Sequence, residues 1–450
     1  MLLHVLFLFL VSLVRVFSLP AARLPRDGPV LPTDDPFYQP PSGFESTSPG
    51  TILRYRTPPY PIAAFGTDPV NLAAAYQILY RTTDSFGNAT ATVSTILIPN
   101  NADNTKLLSY QVAEDAADPN CAPSYAFQYE SATGGPLGLL MPQLELFFIE
   151  TIINNGWIAT IPDFLGPKAA FLANNLAGYA VLDNIRAALA SSNFTNIASN
   201  PTITMWGYSG GSLATGFAAE LQPSYAPELE IAGAALGGTV PQILPVINSV
   251  NKGPYAGLIP SGTMGLANEY SEIVTLLDQK IVPSKMAALE QAANMCLVGD
   301  IERYAGQDIY NYTTDPHIFT EATATQVLDA NNMGQNAPTI PLFIYKSAGD
   351  EVSPVSNTDS LVSYYCASGS NVEYKRDESS DHATMAIIGA PDAMIWLNER
   401  MRGVPVTPVC TNTTELTDLT DPGALAVLGV DLVEILLDLL QDPVSPIMIG

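Results

Sequence analysis

Basic side chains are scarce in this 450-residue chain: 18 Lys and Arg stand against 44 Asp and Glu, a formal net charge of -26 at pH 7. Such a surface repels phosphate backbones and anionic bilayers, so no nucleic-acid partner is expected, while a neutral lipid surface stays open to it. The acidity fits a chain kept soluble in an acidic exterior. Histidine is scarcer still, at three residues. Neither a Cys-x-x-Cys pair nor a His-Glu-x-x-His run occurs, so no metal site and no cofactor are expected. Long apolar runs are missing too. Leu2 to Val14 is broken by His4 and Ser12 and is too short for a bilayer span, so no transmembrane segment is expected.

That run does have the length of a secretory-signal core. No Lys or Arg precedes it, so the initiator amine must supply the positive charge. Val16-Phe17-Ser18 suits cleavage after Ser18, and Arg23 and Arg26 mark a candidate second trimming. Export gives meaning to Cys121, Cys296, Cys366 and Cys410, because an even number in an oxidising compartment favours disulfides; three connectivities are open. Asn88, Asn193, Asn311 and Asn412 each open an N-x-[ST] sequon and are candidate glycan acceptors.

Gly207-Tyr208-Ser209-Gly210-Gly211 follows the β-prone run Thr202-Ile203-Thr204-Met205-Trp206. A serine between glycines after a strand has the form of a nucleophile elbow, a strained strand-to-helix turn that presents the hydroxyl. Neighbours without a Cβ relieve that backbone and admit a substrate carbonyl. The pentapeptide alone is weak, since ordinary Gly and Ser usage yields it by chance in about one chain in six of this length. Its context is stronger: Gly210 to Glu220 is rich in Gly, Ala and Ser, as a helix packed closely on a sheet must be.

A nucleophilic serine needs a base, and His4 lies in the leader, leaving His317 and His382. In α/β hydrolases the chain order is serine, acid, histidine, with the acid on a loop after a late strand. Pro341 to Tyr345 reads as a buried strand, and Ser347-Ala348-Gly349-Asp350-Glu351 as the turn after it. Ser209, Asp350 and His382 therefore fit the order as catalytic residues. His317 precedes Asp350 and breaks it; its bland reading is a surface or lid histidine. Glu351 rivals Asp350 only if the turn is offset by one residue, and Asp381 is too close in sequence to His382 to orient its ring.

The length alone suggests two or three domains, but strands alternate with helices in the manner of an α/β chain with a covered, parallel sheet. Pro32 to Pro61, rich in Pro, Ser, Thr and Gly, reads as an extended arm over the surface. Ala73 to Arg81 and Ala91 to Ile98 read as strands around a hairpin at Asp84-Ser85-Phe86-Gly87. Strands are expected at Leu107 to Val112, Trp157 to Ile161 and Leu229 to Ala235, and helices at Leu144 to Asn154, Ala169 to Ser191 and Ala383 to Met401. Between Gly238 and Pro341 lies an inserted segment with helices at Ser271 to Gln279 and Ser284 to Met295. Its apolar stretch Tyr255-Ala256-Gly257-Leu258-Ile259-Pro260, with Met264, suits either a lipid-facing lid or simple packing onto the body. Leu425 to Leu440 reads as amphipathic, its acids arguing against a membrane anchor.

Several separated motifs resemble the fungal secretory lipases: Ser109-Tyr110-Gln111-Val112, Cys121-Ala122-Pro123-Ser124-Tyr125, Gly166-Pro167-Lys168-Ala169-Ala170-Phe171, the elbow itself, and Ser224-Tyr225-Ala226-Pro227-Glu228-Leu229. The resemblance covers nearly all of the mature chain. It implies an α/β-hydrolase fold with an inserted helical cap and a carboxy-terminal flap. The implied division is a signal peptide at 1-18, an arm at 19-61, a body at 62-237 and 336-410, a cap at 238-335, and a flap and tail at 411-450. By the same resemblance Ser209, Asp350 and His382 look like nucleophile, acid and base, Asp115 joins Gly210 as an oxyanion-hole residue, and the pairings are Cys121 with Cys296 and Cys366 with Cys410. The expected activity is hydrolysis of acylglycerol esters at a neutral lipid-water interface by a secreted monomer. The rivals are a carboxylesterase of soluble esters and a catalytically silent lipid-binding protein.

Overall fold

The computed structural model of the chain describes residues 28–63, 69–133, 138–417 and 423. The expected signal peptide, the segment at 425–440 and most of the expected flap lie outside the described residues. Ten strands form one sheet among them: β1 (Ile52–Arg56), β2 (Leu72–Thr83), β3 (Ala89–Pro99), β4 (Asp103–Gln111), β5 (Trp157–Pro162), β6 (Thr202–Tyr208), β7 (Ile231–Gly237), β8 (Leu342–Ser347), β9 (Val372–Asp377) and β10 (Thr411–Glu415). Their order is β1-β2-β3-β5-β4-β6-β7-β8-β9-β10.

The sheet is mixed rather than wholly parallel. β1, β2, β3 and β5 pair antiparallel, and every pairing from β5 through β4 to β10 is parallel. The antiparallel edge starts at the expected hairpin, where the Asp84 carboxylate accepts from the amides of Phe86 (2.9 Å) and Asn88 (2.7 Å). Within the expected extended arm, residues 52–56 supply the edge strand β1. Arg56 anchors it through an ion pair with Asp35 (2.6 Å) and by lying 4.0 Å over the Phe37 ring.

Period-two alternation sends strand side chains to two separate cores. Leu107, Ile203 and Met205 pack with the helices Asn174–Ala190 and Gly210–Tyr225 on one face. Leu108, Tyr110 and Trp206 pack with Leu140–Asn154 and Ala390–Met401 on the other. β5 and β8 are buried throughout, which explains their nearly unbroken apolar sequences.

Element ends shift where backbone chemistry overrides pattern. The expected helix from Ala169 starts only at Asn174, because Ala169 and Leu172 take φ of 49° and 72° in a tight turn. The strand expected at 229–235 runs from Ile231 to Gly237. The helix expected from Ala383 to Met401 is two helices, His382–Ile388 and Ala390–Met401. Pro391 sits in the first turn of the second, where its missing N–H costs no helical bond. Pro283–Glu290 likewise ends early and continues as a 3-10 turn to Asn294.

Between β7 and β8 come the helices Ile243–Val250, Leu258–Glu269, Ser271–Lys280, Pro283–Glu290, Leu297–Tyr304 and Ala322–Ala330. They share an apolar core of their own, which also takes in Ala173, Leu176 and Val352 from the sheet-bearing part. Of the stretch Tyr255 to Pro260, Ile259 and Pro260 are buried, and Tyr255, Leu258 and Met264 are half-buried. Packing therefore accounts for it in this conformation. All four sequon asparagines, Asn88, Asn193, Asn311 and Asn412, are exposed.

Cys121 is bonded to Cys296 and Cys366 to Cys410. The first joins the loop after β4 to the helical segment across 175 residues; the second spans 44. Cys121 and Cys296 are buried, whereas Cys410 is exposed. Non-reducing peptide mapping should recover these two linkages, and graded reduction should open Cys366–Cys410 first. Replacing both Cys121 and Cys296 by serine should lower stability by about 2–5 kcal/mol in denaturant unfolding.

Candidate active site

Ser209 stands between the end of β6 and the helix Gly210–Tyr225, with φ 52° and ψ -119°. An L-residue reaches that conformation only under strain, and the surroundings must hold it there. The Ser209 amide donates to the Gly237 carbonyl of β7 (2.9 Å) and its carbonyl accepts from the amides of Ser212 (2.9 Å) and Leu213 (3.2 Å). Gly207 makes the turn possible, because a Cβ there would overlap the carbonyl of Gly211.

Two loops at the carboxyl ends of β8 and β9 meet the serine. His382 Nε2 lies 2.9 Å from Ser209 Oγ, and its Nδ1 lies 2.7 Å from Asp350 Oδ2. His382 opens a short helix whose N-cap is Asp381; that carboxylate accepts from the Thr384 amide (2.7 Å) and so faces away from the ring. Glu351 Oε2 accepts from the His382 amide (2.9 Å), and the Tyr208 hydroxyl donates to the His382 carbonyl (2.6 Å). Glu351 thus holds the backbone of the histidine, Asp381 caps its helix, and Asp350 is the carboxyl bonded to its ring. His317 is exposed on the helical segment, its amide held by Asp315.

Asp350 is fully bonded. Oδ1 accepts from the amides of Val352 (2.9 Å) and Ser353 (2.7 Å), while Oδ2 faces both His382 and the Lys346 ammonium (2.7 Å). Burial works against its charge, yet His382 and Lys346 outweigh burial and hold the carboxyl well below its usual range. Lys346 escapes a reading by pattern alone. A charged residue ending a run as apolar as Leu342-Phe343-Ile344-Tyr345 is the signal that a buried partner waits for it.

Asp115 lies in the loop after β4, with φ 44°, and its Oδ1 abuts Gly210 so closely that a Cβ at that glycine would overlap it. That oxygen has no hydrogen-bond partner among the described residues. Burial raises the Asp115 carboxyl to about 7, against the pull of His382. The Asp115 carbonyl accepts from Ser261 Oγ (3.0 Å) in Leu258–Glu269, tying this loop to the helical segment.

Above the serine opens a cavity with about 860 Å³ of empty space, open solvent at its mouth included. Asp115, Ser209, Gly210 and Thr263 sit at its wall, and the rest is apolar, including Leu213, Val240, Ile243, Leu258, Leu277 and Ile318. A hydroxyl bonded to an imidazole, an ionised acid behind it, a helix-start amide at Gly210 and an apolar chamber together equip the site for acyl transfer. Among the described residues no cluster of His, Cys, Asp and Glu could hold a metal ion, and no helix is long and apolar enough to cross a membrane.

A model of the family described as Secretory lipase matches residues 133–408. Lipase A of Arthroderma benhamiae is 48% identical over 436 residues, 96% of this chain and 92% of that protein. The chain belongs to the secretory lipase family. Lipase 1 of Candida albicans is 39% identical, over 87% of this chain and 85% of that one. The X-ray structure of Candida antarctica lipase A in its closed state shares the fold with a TM-score of 0.82 at 30% identity, covering 92% of this chain and 96% of the other. The fold is thus that of an α/β hydrolase, and the protein is a lipase, an ester hydrolase.

This secretory lipase buries an unusual set of carboxyls. Burial raises Asp115 and Asp163 to about 7 and Glu145 and Asp300 to about 8, and lifts Glu114 strongly as well. The folded state therefore binds protons that the unfolded chain, with carboxyls near 4, releases. Stability from these groups is complete below about pH 4 and is lost as pH climbs through about 7 to 8. Thermal unfolding should accordingly show a midpoint that falls between about pH 5 and about pH 8, the reverse of the trend set by paired surface carboxylates. A midpoint that rose over that window would contradict neutral buried acids.

Proposed function

We propose that this lipase is an exported, monomeric serine hydrolase of acylglycerol esters, with the helical segment 238-335 acting as a lid over the site. One observation carries the reading: the hydrogen-bonded series Ser209, His382, Asp350 opens directly into a chamber whose wall is almost wholly apolar. Ser209 Oγ attacks the ester carbonyl as His382 Nε2 takes its proton, and Asp350 remains a carboxylate that stabilises the imidazolium. His382 then returns that proton to the departing alcohol. Water, deprotonated by the same nitrogen, releases the fatty acid from Ser209. Where water is scarce an alcohol takes its place, giving transesterification.

The oxyanion forms beside the Gly210 amide and Asp115. An ionised carboxylate there would repel it, whereas the acid form is a hydrogen-bond donor, and burial favours the acid form up to about pH 7. Donation from Asp115 fades as pH rises past that value. The apolar wall favours acyl chains over soluble aromatic or polar esters, and it is the ground for preferring a lipase to a carboxylesterase. A carrier protein would have no use for a strained serine bonded to an imidazole. The two disulfides and four exposed sequons are in keeping with export.

Ser209→Ala and His382→Ala should each reduce kcat by about 10⁴–10⁶-fold with the fold retained, and Asp350→Asn by about 10⁴-fold. His317→Ala should leave kcat within about twofold. Asp115→Ala should cost about 10²–10³-fold, whereas Asp115→Asn, a donor at every pH, should hold its rate further into the alkaline range. Loss of activity in His317→Ala with His382→Ala unaffected would reassign the base.

Substrate class follows from the lid. Burying a few hundred Å² of its apolar face in lipid, at about 25 cal/mol per Å², supplies several kcal/mol toward an open state before ordering costs. Triglyceride hydrolysis by the purified protein should rise more than proportionally as concentration passes the solubility limit, more on neutral than on anionic emulsions. Activity confined to short soluble esters and saturating below that limit would instead favour the carboxylesterase.

A further inference from the structure

Lys346 has no part in the mechanism above, yet it holds a charged group in the buried interior. Its side chain is fully buried, as is that of Asp350, and its ammonium lies 2.7 Å from Asp350 Oδ2 and 2.8 Å from the Thr239 carbonyl. The oxygen it touches is the one that meets His382 Nδ1. A structural lysine could end anywhere along this strand; this one ends on the lone pairs of the triad acid.

We propose that Lys346 is a positioning residue of the catalytic relay, whose ammonium offsets the charge of Asp350 at His382 and so keeps the base free in acidic surroundings. The inference rests on the reading of Ser209, His382 and Asp350 as the relay. A lone buried carboxylate beside an imidazole favours imidazolium strongly, and an imidazolium cannot accept the Ser209 proton. With Lys346 bonded to the same oxygen the acid and lysine form a neutral pair, and the imidazole feels only their difference. Lys346 also takes up the lone pair that could otherwise draw Oδ2 away from Nδ1, and with the two amides on Oδ1 it fixes the carboxylate plane.

The other charged and titratable groups around the relay do not substitute for it. On the same turn, Glu351 adds a further negative charge near Lys346 and bonds the His382 amide. On the histidine's own helix, Asp381 serves as N-cap. Asp115 approaches from the β4 loop, Tyr208 from β6 with its ring 5.4 Å from the imidazole, Tyr374 from β9, and Tyr255 from the helical segment. Each is an acid or a phenol, so Lys346 is the cation among the groups facing this cluster. Burial pulls the ammonium below its usual range and Asp350 opposes that pull.

The test starts with the native protein, treated with a fluorophosphonate and mapped to show that Ser209 is the labelled residue. Failure to label Ser209 would remove the relay reading, separately from anything said of Lys346. With Ser209 labelled, kcat/KM for a soluble ester is followed from about pH 4 to about pH 9 in native enzyme, Lys346→Met and Lys346→Gln, each checked by thermal unfolding. The paired Asp350 and His382 should take up their proton at higher pH without the cation, moving the acidic limb up by about one unit. Activity at about pH 5 should then fall about tenfold more than activity at about pH 8. An equal loss at both pH values, or a limb that moves down, would overturn the proposal. Should neither variant fold, Lys346→Arg decides: it keeps the cation, so its acidic limb should stay where the native one lies, and a limb moved up by about one unit would overturn the proposal.

Discussion

The site depends on a backbone held against its own preference at Ser209. A φ of 52° is tolerable only because β6 enters the turn fully paired between β4 and β7, and because the Gly237 carbonyl receives the serine amide. The same geometry starts the next helix one residue later, at Gly210, which lines the cavity together with Ser209. On the proposed mechanism, strain, nucleophile presentation and oxyanion donor are thus one local structure. The two cores beneath it supply the rigidity that keeps the turn from relaxing.

Around that turn the molecule collects acids and manages them in two opposite ways. Asp350 is given four donors, one of them a lysine, and is held in its ionised form. Asp115 is buried beside Gly210 with one oxygen unpaired among the described residues, and burial raises it to about 7. The difference is environment alone, since both begin as ordinary aspartates. On the proposed mechanism it divides the labour of a single reaction: one carboxyl holds a positive charge on His382, the other tolerates a negative one on the substrate.

What the sequence discloses and what it hides divide along the same line as local and non-local structure. The pentapeptide 207–211, the strand-turn ending at Asp350 and the order of Ser209, Asp350 and His382 are legible because each is a short pattern with its own chemistry. Scarcity helps, because three histidines leave few choices of base. Asp115 is legible only through resemblance. Its nearness to Gly210 arises because β4 is the neighbour of β6 in the sheet although β5 lies between them in the chain. Lys346 is hidden for a related reason: its partner's burial depends on Thr239, Val352 and Ser353 folding over it. Turn residues with positive φ such as Leu172, which is neither Gly nor Asn, offer no signal by type, so the start of the helix at Asn174 is missed.

The helical segment between β7 and β8 is tied to the site in ways that restrict how it can move. Leu258–Glu269 contributes apolar side chains to the cavity wall and, through Ser261, a hydrogen bond to the carbonyl of Asp115. Asn268 on the same helix donates to the carbonyl of Lys168 (2.7 Å), in the turn before the Asn174–Ala190 helix. Cys296 is bonded covalently to Cys121, a few residues beyond Asp115. On the proposed lid reading, a displacement of this helix breaks the Ser261 and Asn268 bonds while the disulfide keeps the segment tethered. Net hydrogen bonds of this kind contribute about 0.5–1.5 kcal/mol each, an amount that burial of a modest apolar face at a lipid surface can replace. On the proposed reading of 238–335 as a lid, bonds of this strength hold the segment over the chamber in water and yield where lipid is present, and the loop that carries Asp115 is linked to that change through Ser261.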